Sequence, residues 1–228
     1  MQKPSAGVKG LSAFGLRKRF GGHVILKDAG FEWPENGLVA ILGGNGAGKT
    51  VLLNILSGFE PADSGTLTWH GHNIASRSPL WRATRGFAYM FQTPAVIGDL
   101  DWDEHIAYAL RGNLEPPASR TSLSAQVFTN SLKALIGSNS EQPAKLFSFG
   151  QRKLLNLACA IVRTSSIMLL DEPFAGLSDN AVERVRSIIH NFQSRVLVVL
   201  VDHDRERVDA MADLCVQLEN GLLSTVSR

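Results

Sequence analysis

Cysteine is scarce: the 228 residues contain two, Cys159 and Cys215. Two cannot build the disulfide framework that staples small secreted domains, and both stand in apolar stretches, where a buried free thiol is expected. Excess charge is missing too. Lys and Arg number 23 against 21 Asp and Glu, a net of +2, which supplies no basic stripe for a nucleic-acid partner. The longest apolar runs, 157–162 and 196–201, fall far short of the ~18 residues that cross a bilayer. Residues 1–5 hold no apolar core, so no export signal is expected there. Neither a repeat nor a low-complexity tract is present. With 44% hydrophobic and 19% charged residues, the chain has the composition of a folded, cytoplasmic globular protein. At roughly 150 residues per domain, that allows one domain over 1–228 with room for an insertion.

The first third reads as strands at 8–20, 24–33 and 37–42, separated by Gly21-Gly22 and by a break at 34–37, a hairpin pattern. A short apolar helix at 51–56 and strands at 66–69 and 86–91 follow. The stretch 93–147 differs. It carries Pro94, Gly98, Pro116, Pro117 and Pro143 around helices predicted at 103–111 and 122–135, and reads as an inserted helical subdomain. Beyond it, Leu154, Leu157, Ala158, Ile161 and Val162 fall at helical spacing. A strand at 167–170, a helix through Val182, Val185, Ile188, Ile189 and Phe192, and a strand at 196–201 come next. Such alternation predicts parallel strands with helices on their faces.

The most specific string is Gly43-Gly44-Asn45-Gly46-Ala47-Gly48-Lys49-Thr50, which fits G-x-x-x-x-G-K-[ST]. It follows the apolar run 38–42 and opens the helix at Val51, the strand–loop–helix setting this pattern requires. Glycines let consecutive N–H groups turn inward as a nest for anionic oxygens. The helix beginning near Gly48 adds the positive end of its dipole. Lys49 places a point charge on the β- and γ-phosphates, and the Thr50 hydroxyl is a ligand for Mg²⁺. By chance alone such a string arises in about one chain in a hundred of this length. A nucleotide site is expected.

Two further strands end in polar clusters. The run 167–170 ends in Asp171-Glu172; a strand parallel to the one before the loop would bring Asp171 beside the metal and Glu172 to the γ-phosphate, where a carboxylate polarises water. The run 198–201 ends in Asp202-His203-Asp204, which puts His203 on the same side. The remaining histidines show no metal-ligand spacing, and His70-Gly71-His72 reads as a hairpin turn.

Together these residues resemble the ATP-binding subunits of ABC transporters, nearly end to end and in that family's order. Phe20, before the Gly-Gly turn, matches the aromatic that stacks on adenine. Gly43, Gly44, Asn45, Gly46, Ala47, Gly48, Lys49, Thr50 and Val51 match its phosphate loop. Gln92 matches the glutamine that touches Mg²⁺, so the resemblance implies Thr50, Gln92 and Asp171 as metal contacts. Phe147-Ser148-Phe149-Gly150-Gln151 falls where the family has its signature, and Asp171-Glu172-Pro173 and His203-Asp204 complete the set. The fold implied is an α/β P-loop core of mostly parallel sheet with an antiparallel β subdomain and the helical insertion. The mechanism implied is head-to-tail pairing with a second ATPase subunit, this chain or a close paralogue. Each ATP is then held by one chain's phosphate loop and the other's Ser148, Phe149, Gly150 and Gln151. Glu172 would be the base and His203 would hold the γ-phosphate. Transmembrane permease subunits would receive the motion through the region after Gln92, placing the chain peripherally on the inner membrane face. An importer would add a solute-binding protein.

The signature departs from Leu-Ser-Gly-Gly-Gln at Phe147 and Phe149; a side chain at the latter position disfavours positive φ and adds bulk. Ser178 stands where many relatives carry Asp, with Asp179 next. The larger residue at 149 and the strings 91–96 and 171–178 resemble importers of branched-chain amino acids and urea. Two other readings stay open: a soluble ABC-type ATPase uncoupled from transport, and a nucleotide-dependent interaction module. A small-molecule kinase or GTPase leaves the signature unexplained, and no Asn-Lys-x-Asp guanine reader is present. Arg17-Lys18-Arg19 reads as a solvated strand edge, Arg77, Arg82 and Arg85 as surface charge, and Trp69, Trp81 and Trp102 as packing or interface residues.

Overall fold

The computed structural model describes residues 10–111 and 122–226. The expectations for residues 1–9 and for Pro116 and Pro117 lie outside these. Strands β1 (Leu11–Phe20) and β2 (His23–Trp33) form the first hairpin. Next, β3 (Gly37–Leu42) runs into the glycine loop and α1 (Lys49–Ser57). The strands β4 (Ser64–Trp69) and β5 (His72–Asn73) flank the His70-Gly71 turn. They are followed by α2 (Pro79–Ala83), β6 (Phe87–Met90), α3 (Trp102–Arg111) and α4 (Ser122–Ile136). Two 3-10 turns, Gly137–Glu141 and Ala144–Leu146, lead to α5 (Phe149–Arg163). The chain then alternates through β7 (Ile167–Asp171), α6 (Asp179–Gln193) and β8 (Leu197–Val201). It continues with α7 (Arg205–Asp209), β9 (Leu214–Glu219) and β10 (Leu222–Val226).

Two sheets result. One is antiparallel, in the order β2-β1-β4-β5, and the other runs β10-β9-β3-β8-β7-β6. In the second, every neighbouring pair except β10·β9 is parallel. The reason is visible in the strands themselves. β7 and β8 are buried at every residue, as a sheet covered on both faces demands. Register then decides the function. Ile41 pairs with Val201, Asp171 pairs with Val201, and Met90 pairs with Leu170. The ends of β3, β8, β7 and β6 therefore meet at one edge of the sheet, where open α/β sheets bind ligands. β8 separates the loop strand from the Asp171 strand, so His203 emerges between them.

The apolar residues divide between the two sides of this sheet. Leu38, Ala40, Leu170 and Val198 pack with Trp102, Leu132, Leu155 and Ile189. Val39, Ile41, Leu169 and Val199 pack with Leu53, Leu67, Leu11 and Trp33. Helices α3 and α4 thus share a core with α5 and the sheet. The short α2 and α7 and strands β9 and β10 had no counterpart in the sequence reading. Two sequence expectations are overturned. Arg82 is 1% exposed rather than surface charge, with its guanidinium on the carbonyls of Ile55, Leu56 and Ile74. Lys18 is buried too, with Nζ 2.5 Å from Glu60 and 3.2 Å from Asp63; their carboxylates hold its pKa above the usual lysine value, Glu60 contributing most.

Candidate functional site

The glycine loop behaves as its composition requires. Gly48 caps α1 at φ 98°, a left-handed conformation. A Cβ there would lie 2.6 Å from Cγ2 of Ile25, so both backbone and space demand glycine. Lys49 is buried; its Nζ donates to the carbonyls of Gly43 at 2.7 Å and Gly44 at 3.0 Å. The ammonium is thereby folded back over the loop it serves.

A cavity of about 530 Å³ opens above this loop. It is lined by Asn45, Gly46, Ala47, Gly48, Lys49, Thr50 and Val51 together with Gln92, Asp171, Glu172 and His203. Residues from four strand ends, far apart in sequence, thus converge on one space. Gly44 lines an adjoining cleft with Ile25 and the β9–β10 turn. Gly43 contributes its carbonyl. Phe20 lines neither space; it ends β1 at 46% exposure with the Lys18 ammonium 5.0 Å from its ring. Ile25, which the sequence reading missed, lines both spaces; one apolar residue in a strand gave no signal.

Asp171 ends β7 at 1% exposure; the Thr50 and Tyr89 hydroxyls approach its carboxylate, but neither oxygen has a partner at full hydrogen-bonding geometry. Burial holds its pKa above the ordinary carboxylate value, against a lowering influence of the Thr50 hydroxyl beside it. A buried carboxylate with room on both oxygens, next to a threonine hydroxyl, fits a hard cation. Among the described residues no three His, Cys, Asp or Glu cluster around a metal. That is compatible with Mg²⁺, which takes one or two carboxylates and completes its shell with phosphates and water.

Glu172 turns out of the strand at φ 48°, one of three non-glycine residues at positive φ among those described. Its N–H donates to the Val201 carbonyl at 2.9 Å. His203 Nδ1 stands 3.5 Å from Glu172 Oε1 and 3.6 Å from Asp202 Oδ1, beyond direct hydrogen bonding but close enough to meet over a shared water or phosphate oxygen. The His203 ring is half exposed, while Asp202 is buried and accepts the Asp204 N–H.

None of Ser148, Phe149, Gly150 and Gln151 lines the phosphate cavity. They form the head of α5. Ser148 Oγ accepts the Gln151 N–H at 3.2 Å and Gln151 Oε1 accepts the Ser148 N–H at 2.8 Å, a reciprocal capping box. Ser148 is exposed, so its hydroxyl proton remains free for an outside acceptor. The backbone concern over Phe149 is corrected, while its ring stays half exposed at the head of α5. It is the first residue of α5 and is not among the positive-φ residues, so no glycine-only conformation is demanded of it. Gly150 is the constrained one, since a Cβ there would lie 2.7 Å from the Gly176 carbonyl oxygen. Gly150→Ala is expected to cost about 1–3 kcal/mol through overpacking. Urea unfolding checks this, and an unchanged midpoint would show that the 172–178 turn yields.

A P-loop nucleotide-binding ATPase cassette is the class that this fold and this cavity define. The ABC transporter family model matches residues 26–175, and the chain belongs to that family. It is 28% identical over 220 residues to a probable ABC transporter ATP-binding protein of Azorhizobium caulinodans, covering 96% of this chain and 77% of that one. It is 33% identical over 213 residues to the sulfate/thiosulfate import ATP-binding protein CysA of Synechocystis, covering 92% of this chain and 58% of that one. The chain thus spans about three fifths of the length of that relative. Among solved structures, an ATP-binding subunit of an ABC transporter superposes with TM-score 0.80 at 22% identity, over 96% of this chain and 90% of that one. A post-hydrolysis cassette dimer bound to ADP and phosphate gives 0.79 at 17%, over 96% and 99%. At such identities these two speak for the fold.

Proposed function

We propose that this chain binds ATP with Mg²⁺, hydrolyses it in a pair with a second cassette, and thereby powers an importer of small polar solutes. The observation that carries this reading is the convergence of Lys49, Thr50, Gln92, Asp171, Glu172 and His203 on one cavity. The loop N–H groups and Lys49 bind the phosphates. Thr50, Gln92 and Asp171 would hold Mg²⁺, which when bound neutralises charge on the β- and γ-phosphates. Glu172 accepts a proton from the attacking water, and His203 fixes that water and the γ-phosphate. Phe20 supplies an exposed ring for the adenine.

Pairing follows from the position of the signature. An exposed Ser148 hydroxyl with a free proton and the first N–H groups of α5 form an anion-binding helix start. The chain's own phosphate cavity does not include them, so the anion they serve belongs to a second copy or close paralogue. A permease has a surface to dock on. A mainly apolar cleft of about 370 Å³ runs beside β6, lined among others by Phe59, Leu80, Phe91, Ala95 and Cys159. Phe59 and Leu80 are exposed, and Phe91 adjoins Gln92, so a docked segment would feel the phosphate site through one peptide bond. No helix among the described residues is long and apolar enough to cross a membrane, so the chain would sit on the inner face through that partner.

The narrower assignment to amino-acid, urea or amide uptake rests on Phe149 and the strings 91–96 and 171–178. Relatives named for sulfate and thiosulfate import, at 31–34% identity, point to an oxyanion instead. The solute class proposed is therefore the broader one, with a solute-binding protein as the further partner of an importer.

Gel filtration of wild type and Glu172→Gln with and without MgATP tests the reading. The Gln variant should shift to a dimer with ATP and lose turnover by about 10²–10⁴-fold, while wild type turns over and stays mostly monomeric. A monomer under every condition with no turnover in wild type would favour the interaction module or an obligatory pair with a paralogue.

A further inference from the structure

Lys153 lies on α5, two residues beyond the capping box, and outside the motifs named above. Its side chain is 1% exposed, a rare place for lysine unless it is paired. The ammonium donates to the backbone carbonyl of Glu172. It also stands 5.7 Å from the centre of the Phe149 ring, and that ring covers Gly176, where a Cβ would come within 2.8 Å of it. Burial lowers the lysine's pKa, opposed by the charges of Glu172, Asp171 and Asp202.

The Glu172 backbone is thus held from two sides. Val201 on β8 takes its N–H, while its carbonyl takes the Lys153 ammonium and, at 3.3 Å, the Ala175 N–H. A residue at φ 48° needs such restraint, because side chains other than glycine rarely rest there. The direction of the Glu172 carboxylate follows from that backbone turn. We propose that Lys153 is a positioning residue for Glu172, aiming its carboxylate into the phosphate cavity and tying that aim to the signature at the head of the same helix. This rests on the assignment of Glu172 as the base. The head of α5 is where a second copy's nucleotide would dock. Lys153 makes that docking and the placement of Glu172 parts of one rigid unit.

Lys153→Met keeps the length and apolar stem and deletes the charge. Its kcat for MgATP should fall about 10- to 100-fold, the scale of a misaimed catalytic group, with KM unchanged. ATP-dependent dimer should persist and accumulate, as in Glu172→Gln. Lys153→Arg, which keeps the cation in a wider fork, should fall between Met and wild type. Wild-type kcat in Lys153→Met, or a loss of ATP binding and dimer in step with kcat, overturns the proposal, the latter indicating a merely structural role. If Lys153→Met yields only aggregate, Lys153→Arg is read by the same split: lower kcat at constant KM supports the role, and unchanged kcat or a joint loss overturns it. Glu172→Gln is measured alongside. Full turnover there removes the base assignment itself, whereas loss there with wild-type kcat in Lys153→Met removes only the role of Lys153.

Discussion

Asp171→Asn is expected to make the nucleotide-free protein more heat-stable and nearly inactive at once. The wild-type carboxylate is 1% exposed and neither oxygen has a partner at full hydrogen-bonding geometry. Its desolvation outweighs the Thr50 hydroxyl and the Lys153 and Lys49 ammoniums nearby, and its raised pKa reports the balance. Asn has nearly the same shape and, though still polar, no charge to desolvate, so the folded state should gain about 1 kcal/mol or more, the margin by which burying a charged group costs more than burying a neutral polar one. For a chain of this size each kcal/mol moves the melting temperature by about 2–4 °C. The same change removes the anionic ligand offered to Mg²⁺. If the cation supplies several kcal/mol of transition-state stabilisation, at 1.36 kcal/mol per tenfold, turnover should fall by at least about a hundredfold. Circular dichroism melts and phosphate-release assays decide the matter. A lower melting temperature would mean that the carboxylate has a stabilising partner, and retained turnover would remove Asp171 from the metal site.

This unsatisfied group also shows why the phosphate edge was legible from sequence. Gly43 through Thr50, Asp171-Glu172 and His203 each terminate an apolar run, and parallel strands deliver their ends to one edge whatever lies between. A local pattern was enough. The head of α5 was legible only through its resemblance to the family signature, ahead of a helix whose apolar spacing is plain; the capping box of Ser148 and Gln151 appeared with the structure. Arg82, Lys18 and Lys153 were illegible because their partners are remote. Arg82 meets carbonyls 26 and 27 residues earlier, Lys18 meets Asp63 45 residues on, and Lys153 meets Glu172 19 residues on. Long cationic side chains usually lie in solvent, and only the fold shows where carbonyls converge on one. Strands β9 and β10 escaped for another reason: their burial is mixed and only partial, and they lack the continuous buried runs that marked β7 and β8.

Arg82→Met is the second change with a large expected effect, and it acts on stability first. Nη1 donates to the carbonyls of Ile55 at 2.7 Å and Leu56 at 2.5 Å, and Nη2 to that of Ile74 at 2.7 Å. Ile55 and Leu56 lie in the last turn of α1, at the negative end of the dipole, where the Ile55 carbonyl takes only the capping Gly58 N–H at 3.2 Å besides the guanidinium. The guanidinium thus anchors the far end of the helix whose near end is the phosphate loop. Burial lowers its pKa to about 10, so it stays charged at neutral pH. Methionine fills much of the volume but leaves those carbonyls without their cation, at a cost of about 3–5 kcal/mol. ATP at a hundred times its Kd would return about 2.7 kcal/mol by binding the folded state alone. Urea unfolding should therefore show a strongly destabilised variant that saturating MgATP partly restores. Arg82→Lys should lie between, since one ammonium cannot span carbonyls on two segments. A midpoint unchanged in Arg82→Met would mean that water reaches the end of α1 and serves those carbonyls as well as arginine does.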